Sequence, residues 1–398
     1  MQEFTGKEYL KIAIANHMGY DKKSWKERIE WTDSHNQELE QIAFTGEVDE
    51  PAEMLGAIEA LRKAEKGLPT GFPVGLDATC SCLQLMACIT NDKAAMQCCN
   101  VIGTGKREDA YKIVYDDMCE QLKTTGNLKR IQIKEAIMTG IYGSRAKPRE
   151  IFGENTPEFY QFSDSMNALF PRVWKLREMM LNRWNPKVSE YNWTMPDNFH
   201  VKIEVQTTEV LHGTFDGKSV SFIKYVKGPI PRGRSLGANL IHSIDAYILR
   251  EIIRRTNYDP NKLSKLRTMQ SGEYYEDENT RMILLLLQLY KESGILSSRI
   301  LDYIRPYNRD LLSDSMFNKL LSKISPKPFK IIGIHDCFRV HPNYCNELRK
   351  QYVELLAELT ESNILDYLCR QINNFRPGFR KVHGLADLIR KTSEYALS

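Results

Sequence analysis

Two short apolar runs that meet at a His-Asp pair constrain this chain more than any other feature. Residues 329–340 read FKIIGIHDCFRV, apolar on both sides of His335-Asp336. Such runs, with an aspartate where the chain must reverse, predict strand, tight turn, strand. A second short β-like run, around Phe72, Val74 and Leu76, ends at Asp77, and a helical stretch from Ser81 to Ile89 follows it. Most of the remaining chain carries helical periodicity. Ala52 to Lys66 repeats at helical spacing and stops at Gly67 and Pro69. Residues 128–142 do the same, with Gly143 and Pro148 beyond, and 246–323 is helical and highly charged. One further β signal is alternation at Val201, Ile203 and Val205, repeated at Val220 and Phe222 after Asp216-Gly217, which predicts a hairpin. The chain is thus expected to be mostly helical with little sheet. It has no internal repeat, low-complexity tract or obvious linker, so its domains are expected to interleave.

Composition narrows the class without naming a function. The 398 residues are 42% hydrophobic and 27% charged, which excludes a disordered chain. A net charge of +4 permits contact with a polyanion and does not require it. The nine cysteines include Cys80 and Cys82 as C-x-C and the adjacent Cys98 and Cys99, without the C-x-x-C or histidine spacing of a zinc site. Reduced, mostly buried thiols are expected. The start, MQEFTGKEYLKIA, lacks the apolar core of a signal peptide, and the densest apolar run, Ile283 to Leu287, is too short for a bilayer. The expectation is a soluble, intracellular protein.

Three constellations carry chemistry. Asp77 ends an apolar strand before a helix, where an aspartate can equally be a cap. Asp336 falls at a hairpin turn, where aspartates are common for their own reasons. Arg130, Lys134, Met138 and Tyr142 recur every four residues and form one stripe on a helix. Lys134 and Tyr142 would stand about 12 Å apart along the axis, roughly the length of a nucleoside triphosphate. The same stripe also fits a solvated cationic face. Taken together, two converging carboxylates could hold two metal ions about 4 Å apart, the geometry of in-line phosphoryl transfer. A basic helix face could then deliver a triphosphate.

These segments resemble the single-subunit, phage- and mitochondrial-type DNA-dependent RNA polymerases. Asp77, Cys80, Ser81 and Gln84 match the family's first motif, an Asp followed by C-S-x-x-Q. Arg130, Lys134, Met138, Thr139, Tyr142 and Gly143 match the second, R-x-x-x-K-x-x-x-M-T-x-x-Y-G. His335, Asp336 and Phe338 match the third, H-D-x-F. All three stand in the family's order. Residues 110–114, 193–199 (WTMPDNF), 239–245 (NLIHSID) and the tail ADLIRKTSEYALS resemble further family segments. The resemblance implies an α+β right-hand polymerase core, mostly helical with a small antiparallel palm sheet. Residues 1–92 and 241–398 would form the palm, and 93–240 the fingers, with a helical insertion at about 246–327. It implies Asp77 and Asp336 as catalytic carboxylates binding two Mg2+ ions together with the Ala78 carbonyl. Arg130, Lys134 and Tyr111 would bind the incoming nucleotide, Tyr142 and His242 would select the ribose 2′-hydroxyl, and Gly143 would leave room for the template base. His335 and Met138 would line the site.

Two departures stand out: Cys82 replaces a family glycine and Leu85 a family histidine. Only about seventy residues precede the first motif, and the family's Arg-rich D-x-R-G-R segment is missing. In this the chain resembles the large chain of the heterodimeric polymerases of N-four-like phages. The expected partners are a DNA template, nascent RNA, rNTPs and a smaller subunit supplying the N-terminal part, in the cytoplasm of an infected bacterium. The hairpin near 201–226 occupies the place of the family's promoter-specificity loop. Two alternatives remain: a related DNA polymerase, and a non-catalytic DNA-binding subunit of the same fold.

Overall fold

Residues 1–46, 48, 50–123, 128–334 and 336–398 are described by the computed structural model. The chain opens with α1 (Gly6–His17), α2 (Trp25–Ser34), α3 (Leu39–Ile42) and α4 (Pro51–Glu65). Thr5 and Ser24 close capping boxes with Glu8 and Glu27, and Pro51 starts α4 where its missing N–H costs nothing. Strand β1 (Val74–Asp77) leads into α5 (Ser81–Thr90) and α6 (Lys93–Cys98). Five helices follow: α7 (Ala110–Leu122), α8 (Arg130–Gly140), α9 (Ala146–Phe152), α10 (Pro157–Leu169) and α11 (Pro171–Asn182). Next come β2 (Glu190–Thr194), β3 (His200–Glu204), β4 (Gln206–Phe215) and β5 (Lys218–Lys227). The rest is α12 (Ser235–Thr256), α13 (Pro260–Arg267), α14 (Glu278–Ser293), α15 (Asp314–Ser322), β6 (Ile331–Ile334), β7 (Cys337–Val340), α16 (Cys345–Glu361), α17 (Ile364–Asn373) and α18 (Leu385–Thr392). The mostly helical expectation with small antiparallel sheets holds.

The sheet that matters is three-stranded and antiparallel, in the order β1-β7-β6. Val74, Gly75, Leu76 and Asp77 stand opposite Val340, Arg339, Phe338 and Cys337. Leu76, Phe338, Val74 and Val340 are buried, which fixes the register because a one-residue slip would turn them to solvent. The other edge of β1 is closed by the C-terminal residues. Ser398 N–H donates to the Asp77 carbonyl at 2.9 Å, and Ala78 bridges Leu397. Gln84 locks this seam from below. Its amide donates to Thr79, to the Cys99 carbonyl and to the Ala396 carbonyl, each at 3.0 Å, and it accepts from the Tyr352 hydroxyl at 2.8 Å.

The predicted hairpin around Asp216-Gly217 exists, but its first strand is not the run at 201–205. Val201 and Ile203 pair instead with Trp193 and Tyr191 in a separate β2–β3 hairpin. Asn198 makes that turn possible by adopting a left-handed conformation (φ 57°). Val205 is buried between the two hairpins, and β4 and β5 form a ribbon that projects into solvent. The helical nature of 246–323 is as expected. Yet α12 runs unbroken across positions 240 and 246, so neither the domain limit nor the start of the insertion coincides with a break in structure.

That long helix is fastened by a buried ionic cluster. Arg255, fully buried, reaches Glu358 of α16 at 2.9 Å and Glu251 at 3.4 Å. Lys323 meets Glu358 from the other side at 2.9 Å. Burial alone would raise the Glu358 pKa; the Arg255 and Lys323 cations outweigh it and hold the group below its ordinary value. Stability from this carboxylate is therefore complete above its unfolded pKa near 4.5 and is lost as pH falls through the lower folded value. Glu358→Ala leaves buried Lys323 without its carboxylate and Arg255 with Glu251 alone, and should cost about 3–5 kcal/mol in denaturant unfolding. A loss under 1 kcal/mol would show the cluster to be an incidental contact.

Candidate active site

The sheet register brings together two aspartates that lie far apart in sequence. Asp77 is the last residue of β1, opposite Cys337, and Asp336 immediately precedes Cys337 in the turn. The Ala78 N–H donates to the Asp336 carbonyl at 3.0 Å, so the two backbones are in direct contact. Asp77 does not cap α5: that helix begins at Cys80 without a side-chain cap. Partial burial first, and then the Asp336 charge, raise the Asp77 pKa above the usual carboxylate value. His335 lies outside the described residues.

A basic helix face stands nearby. On α8, Arg130 and Lys134 are half-buried and Met138 is 49% exposed, and Tyr142, half-buried, follows in the turn after the helix. Tyr111 of α7 lies beneath its cations, with Arg130 and Lys134 at 5.5 and 5.9 Å from the ring. Its hydroxyl reaches the Cys80 thiol at 3.4 Å, tying α7 to the segment after Asp77. Asp109, which caps α7, also accepts from Arg130 Nε at 2.8 Å. This carboxylate fixes the angle between the two helices and leaves Arg130 Nη1 without a partner among the described residues. Lys134 has no carboxylate within ion-pair distance among the described residues.

At the far end of the stripe, the Tyr142 and His242 rings meet edge to face, 5.0 Å apart at 71°. Gly143 follows with φ +94°, and a Cβ there would stand 2.9 Å from Leu181. Both observations require glycine at this turn. Cys82, where the family has glycine, is buried against Tyr142, and burial pushes both groups above their ordinary pKa values.

One residue of the cluster, the last of the segment 239–245, was given no role by the sequence reading. Asp245 sits one helical turn beyond His242 on α12. Burial, and then the Asp336 charge, push it up to about 6. Its three-residue spacing from His242 was the available signal, since that spacing shares a helix face. Ala78 is buried beside Asp336, whereas Tyr111, Arg130 and Lys134 group around α7 and α8.

The chemistry of the carboxylates fits a hard divalent cation. Among the described residues no group of three or more His, Cys, Asp or Glu side chains forms a closed metal cage. Magnesium, however, commonly takes one or two carboxylates and completes its shell with water and substrate phosphates. Asp77 and Asp336 repel one another, and Arg339, which acts on Asp77, is itself paired with Glu53 at 2.8 Å. A cation between the carboxylates would relieve that repulsion. The nine cysteines are free thiols, six of them buried, as expected. No helix among the described residues is long and apolar enough to cross a membrane.

Comparison with known proteins points to one class. The family model for DNA-dependent RNA polymerase matches residues 2–150, a stretch that contains Asp77, Arg130, Lys134 and Tyr142. The chain is similar to a probable DNA-directed RNA polymerase of Neurospora crassa, 25% identical over 175 residues, covering 39% of this chain and 19% of that protein. It is 28% identical over 172 residues to the mitochondrial DNA-directed RNA polymerase 1 of Arabidopsis thaliana, covering 35% of this chain and 18% of the relative. To the DNA-directed RNA polymerase of Pseudomonas phage phiKMV it is 22% identical over 304 residues, covering 61% of this chain and 37% of the phage protein. The chain thus spans well under half the length of these relatives, all of which are named DNA-directed RNA polymerases.

The raised Asp77 pKa has a thermodynamic consequence. A carboxylate whose folded pKa exceeds its unfolded value loses stability as pH rises between the two. At neutral pH with chelator present, Asp77→Asn should therefore melt above the wild type. Added Mg2+ should raise the wild-type Tm and leave the variant nearly unchanged. A variant that melts lower in chelator, or gains equally from Mg2+, would contradict this account of the pair.

Proposed function

We propose that this chain carries the nucleotidyl-transfer centre of a DNA-dependent RNA polymerase, adding rNTPs to an RNA 3′ end along a DNA template. The observation that carries the reading is the strand register that sets Asp77 beside Asp336, next to a helix face bearing Arg130 and Lys134. Asp77, Asp336 and the Ala78 carbonyl would hold two Mg2+ ions. When bound, these ions supply activation of the 3′-hydroxyl and neutralisation of the departing pyrophosphate. His335 and Met138 belong to the same proposed site.

The protein's own groups bind and orient. Lys134 offers an unpaired ammonium to the triphosphate, and Asp109 aims the Arg130 guanidinium so that Nη1 can join it. Tyr111 supports both cations from below. Tyr142 and His242 are placed to meet the ribose, where a hydrogen bond to the 2′-hydroxyl would favour rNTPs over dNTPs. This pair favours the RNA reading over a DNA polymerase. Gly143, lacking a side chain, leaves room for the template base. In this reading 1–92 and 241–398 form the palm and 93–240 the fingers. Phage transcription in host cytoplasm and a smaller partner chain belong to the same proposal; the phage relative, which matches 61% of the chain, supports the first. Co-purification from infected cells tests the second.

Two experiments decide. Primer extension on a DNA template with Mg2+ and rNTPs should proceed, and Asp336→Asn should reduce it below detection while leaving template binding intact. Extension by the variant at the wild-type rate would remove Asp336 from the chemistry. Tyr142→Phe should lower the rNTP over dNTP preference about tenfold, the worth of one hydrogen bond. An unchanged ratio would take the hydroxyl out of sugar selection.

A further inference from the structure

One stretch of the chain gathers cations without a single carboxylate. Between Asp366 and Asp387 lie twenty residues that carry Arg370, Arg376, Arg380, Lys381 and His383 and no Asp or Glu. Most of these cations sit in the loop between α17 and α18, and that loop lies along α11. Arg172 and Lys175 of α11 stand 6.0 and 5.9 Å from the Phe379 ring, and Arg183, just past the helix, stands 4.8 Å from Phe375. Lys175, Arg183, Arg376 and Arg380 are exposed, and none has a carboxylate within ion-pair distance among the described residues. Like charges gathered without counterions work against the fold, so a fold that keeps them together is suited to a polyanion.

The loop is held on a prepared frame. The Arg172 guanidinium donates to the Thr90 and Asn91 carbonyls at the end of α5, at 3.0 and 2.7 Å, and to the Arg380 carbonyl at 2.9 Å. The Val382 N–H donates to the Asn91 side chain at 3.0 Å, and the Lys381 ammonium to the Thr360 carbonyl at 2.9 Å. At the other end of the loop the Asn373 amide donates to the Arg183 carbonyl. Between these anchors the Pro377 ring fixes its own φ, and Gly378 takes φ +71°, a value that favours glycine. Arg172 and Lys381 are thus engaged in the frame, whereas the side chains of Lys175, Arg376 and Arg380 make no hydrogen bond among the described residues.

Geometry selects among polyanions. Arg172 and Arg183 are eleven residues apart, about 16 Å along a helix at 1.5 Å per residue. One strand of a duplex presents a phosphate about every 3.4 Å, so roughly five phosphates span that length. A single strand would call for exposed rings on which its bases could stack. Here Phe375 is buried, and Phe379 is half-buried beside the Arg172 and Lys175 cations, so no free ring is offered. A protein partner would call for an apolar centre to its interface, and Val382 is the one large apolar side chain that the loop exposes. What remains is a row of cations suited to phosphates alone, without reference to the bases. The row also lies away from the catalytic carboxylates. Helix α5 starts four residues after Asp77, and Arg172 holds its other end, about 15 Å on along its ten residues.

We infer that this row binds the phosphate backbone of duplex DNA outside the catalytic cleft, through Lys175, Arg376 and Arg380, with Arg183 at its end. The inference rests on the polymerase reading only for the presence of DNA, and the test keeps the two apart. The protein is first saturated with a short, unlabelled primed DNA template. Binding of a labelled blunt duplex is then followed by anisotropy across a salt series. The loaded wild type should still bind the duplex. Arg376→Ala with Arg380→Ala should weaken that binding about tenfold and flatten its salt dependence by ~1.8 in log–log slope, about 0.9 for each lost phosphate contact on B-DNA. Lys175→Ala should reproduce the loss in part, and Arg376→Lys with Arg380→Lys should keep most of the slope. These side chains are exposed, so the unfolding midpoint should not fall, and extension of the short template should stay at the wild-type rate. If the alanine pair binds the blunt duplex as the wild type does, the row is not a DNA site. If the saturating template prevents duplex binding, the duplex enters the catalytic cleft and the inference is equally wrong. A labelled single strand that binds as tightly and loses as much in the variant would make the ligand a single strand. Poly-glutamate that displaces the duplex at equal charge would make it an acidic protein; either outcome refutes the duplex site. Extension of the short template by a wild type that holds no duplex would leave the polymerase reading standing alone. Arginine-dependent duplex binding without extension would do the reverse.

Discussion

The pairing of β1 with β7 is the constraint on which everything else rests. Four residue pairs set it, and its buried face is Val74, Leu76, Phe338 and Val340. A one-residue slip would expose these side chains and move Asp77 off the turn that carries Asp336. Gly75 contributes by omission: a Cβ there would approach the Cys337 sulfur to 3.2 Å. The C-terminal residues close the free edge of β1, and Gln84 bonds at once to that tail, to the Cys99 carbonyl and to Tyr352. Each bond of Gln84 is made inside the protein, where the alternative is an unsatisfied polar group. The placement of two like charges side by side, unfavourable by itself, is thus imposed by contacts that do not involve the charges.

A second support is α12. Near its start His242 meets Tyr142; one turn on, Asp245 feels Asp336; further along, Leu249 packs where Gly333 of β6 leaves no room for a side chain; beyond that, Glu251 and Arg255 enter the buried ionic cluster. A single helix therefore spans from the Tyr142–His242 contact to the ionic anchor at α16. A buried ion pair is weak evidence for stability as such. Here its geometric effect matters more, because the helix it fixes determines where His242 and Asp245 stand.

Much of this was legible from residue pattern, and the exceptions have physical causes. The hairpin at Asp336, the strand before Asp77 and the helix carrying Arg130, Lys134 and Met138 are local structures, written in apolar spacing and turn residues. The convergence of Asp77 with Asp336 needed the three motifs to be read together, because strand pairing over so long a separation leaves no local trace. The pairing of Val201 and Ile203 was misjudged because alternation says that a run is a strand and not which strand it meets. Asn198 provided the closer turn, through a conformation that asparagine tolerates better than most residues. Asp245 was passed over because its character comes from burial and from the Asp336 charge, both tertiary.

Charge is ordered along α8 in a way that composition conceals. The net charge of +4 is small, and the basic residues are spread along the sequence. In space, the N-terminal half of α8 carries Arg130 and Lys134 over Tyr111, and the turn beyond its C-terminal end carries Gly143 and Tyr142, which meets His242 of α12. The cations of this helix are thus gathered at one end, and an aromatic contact lies beyond the other.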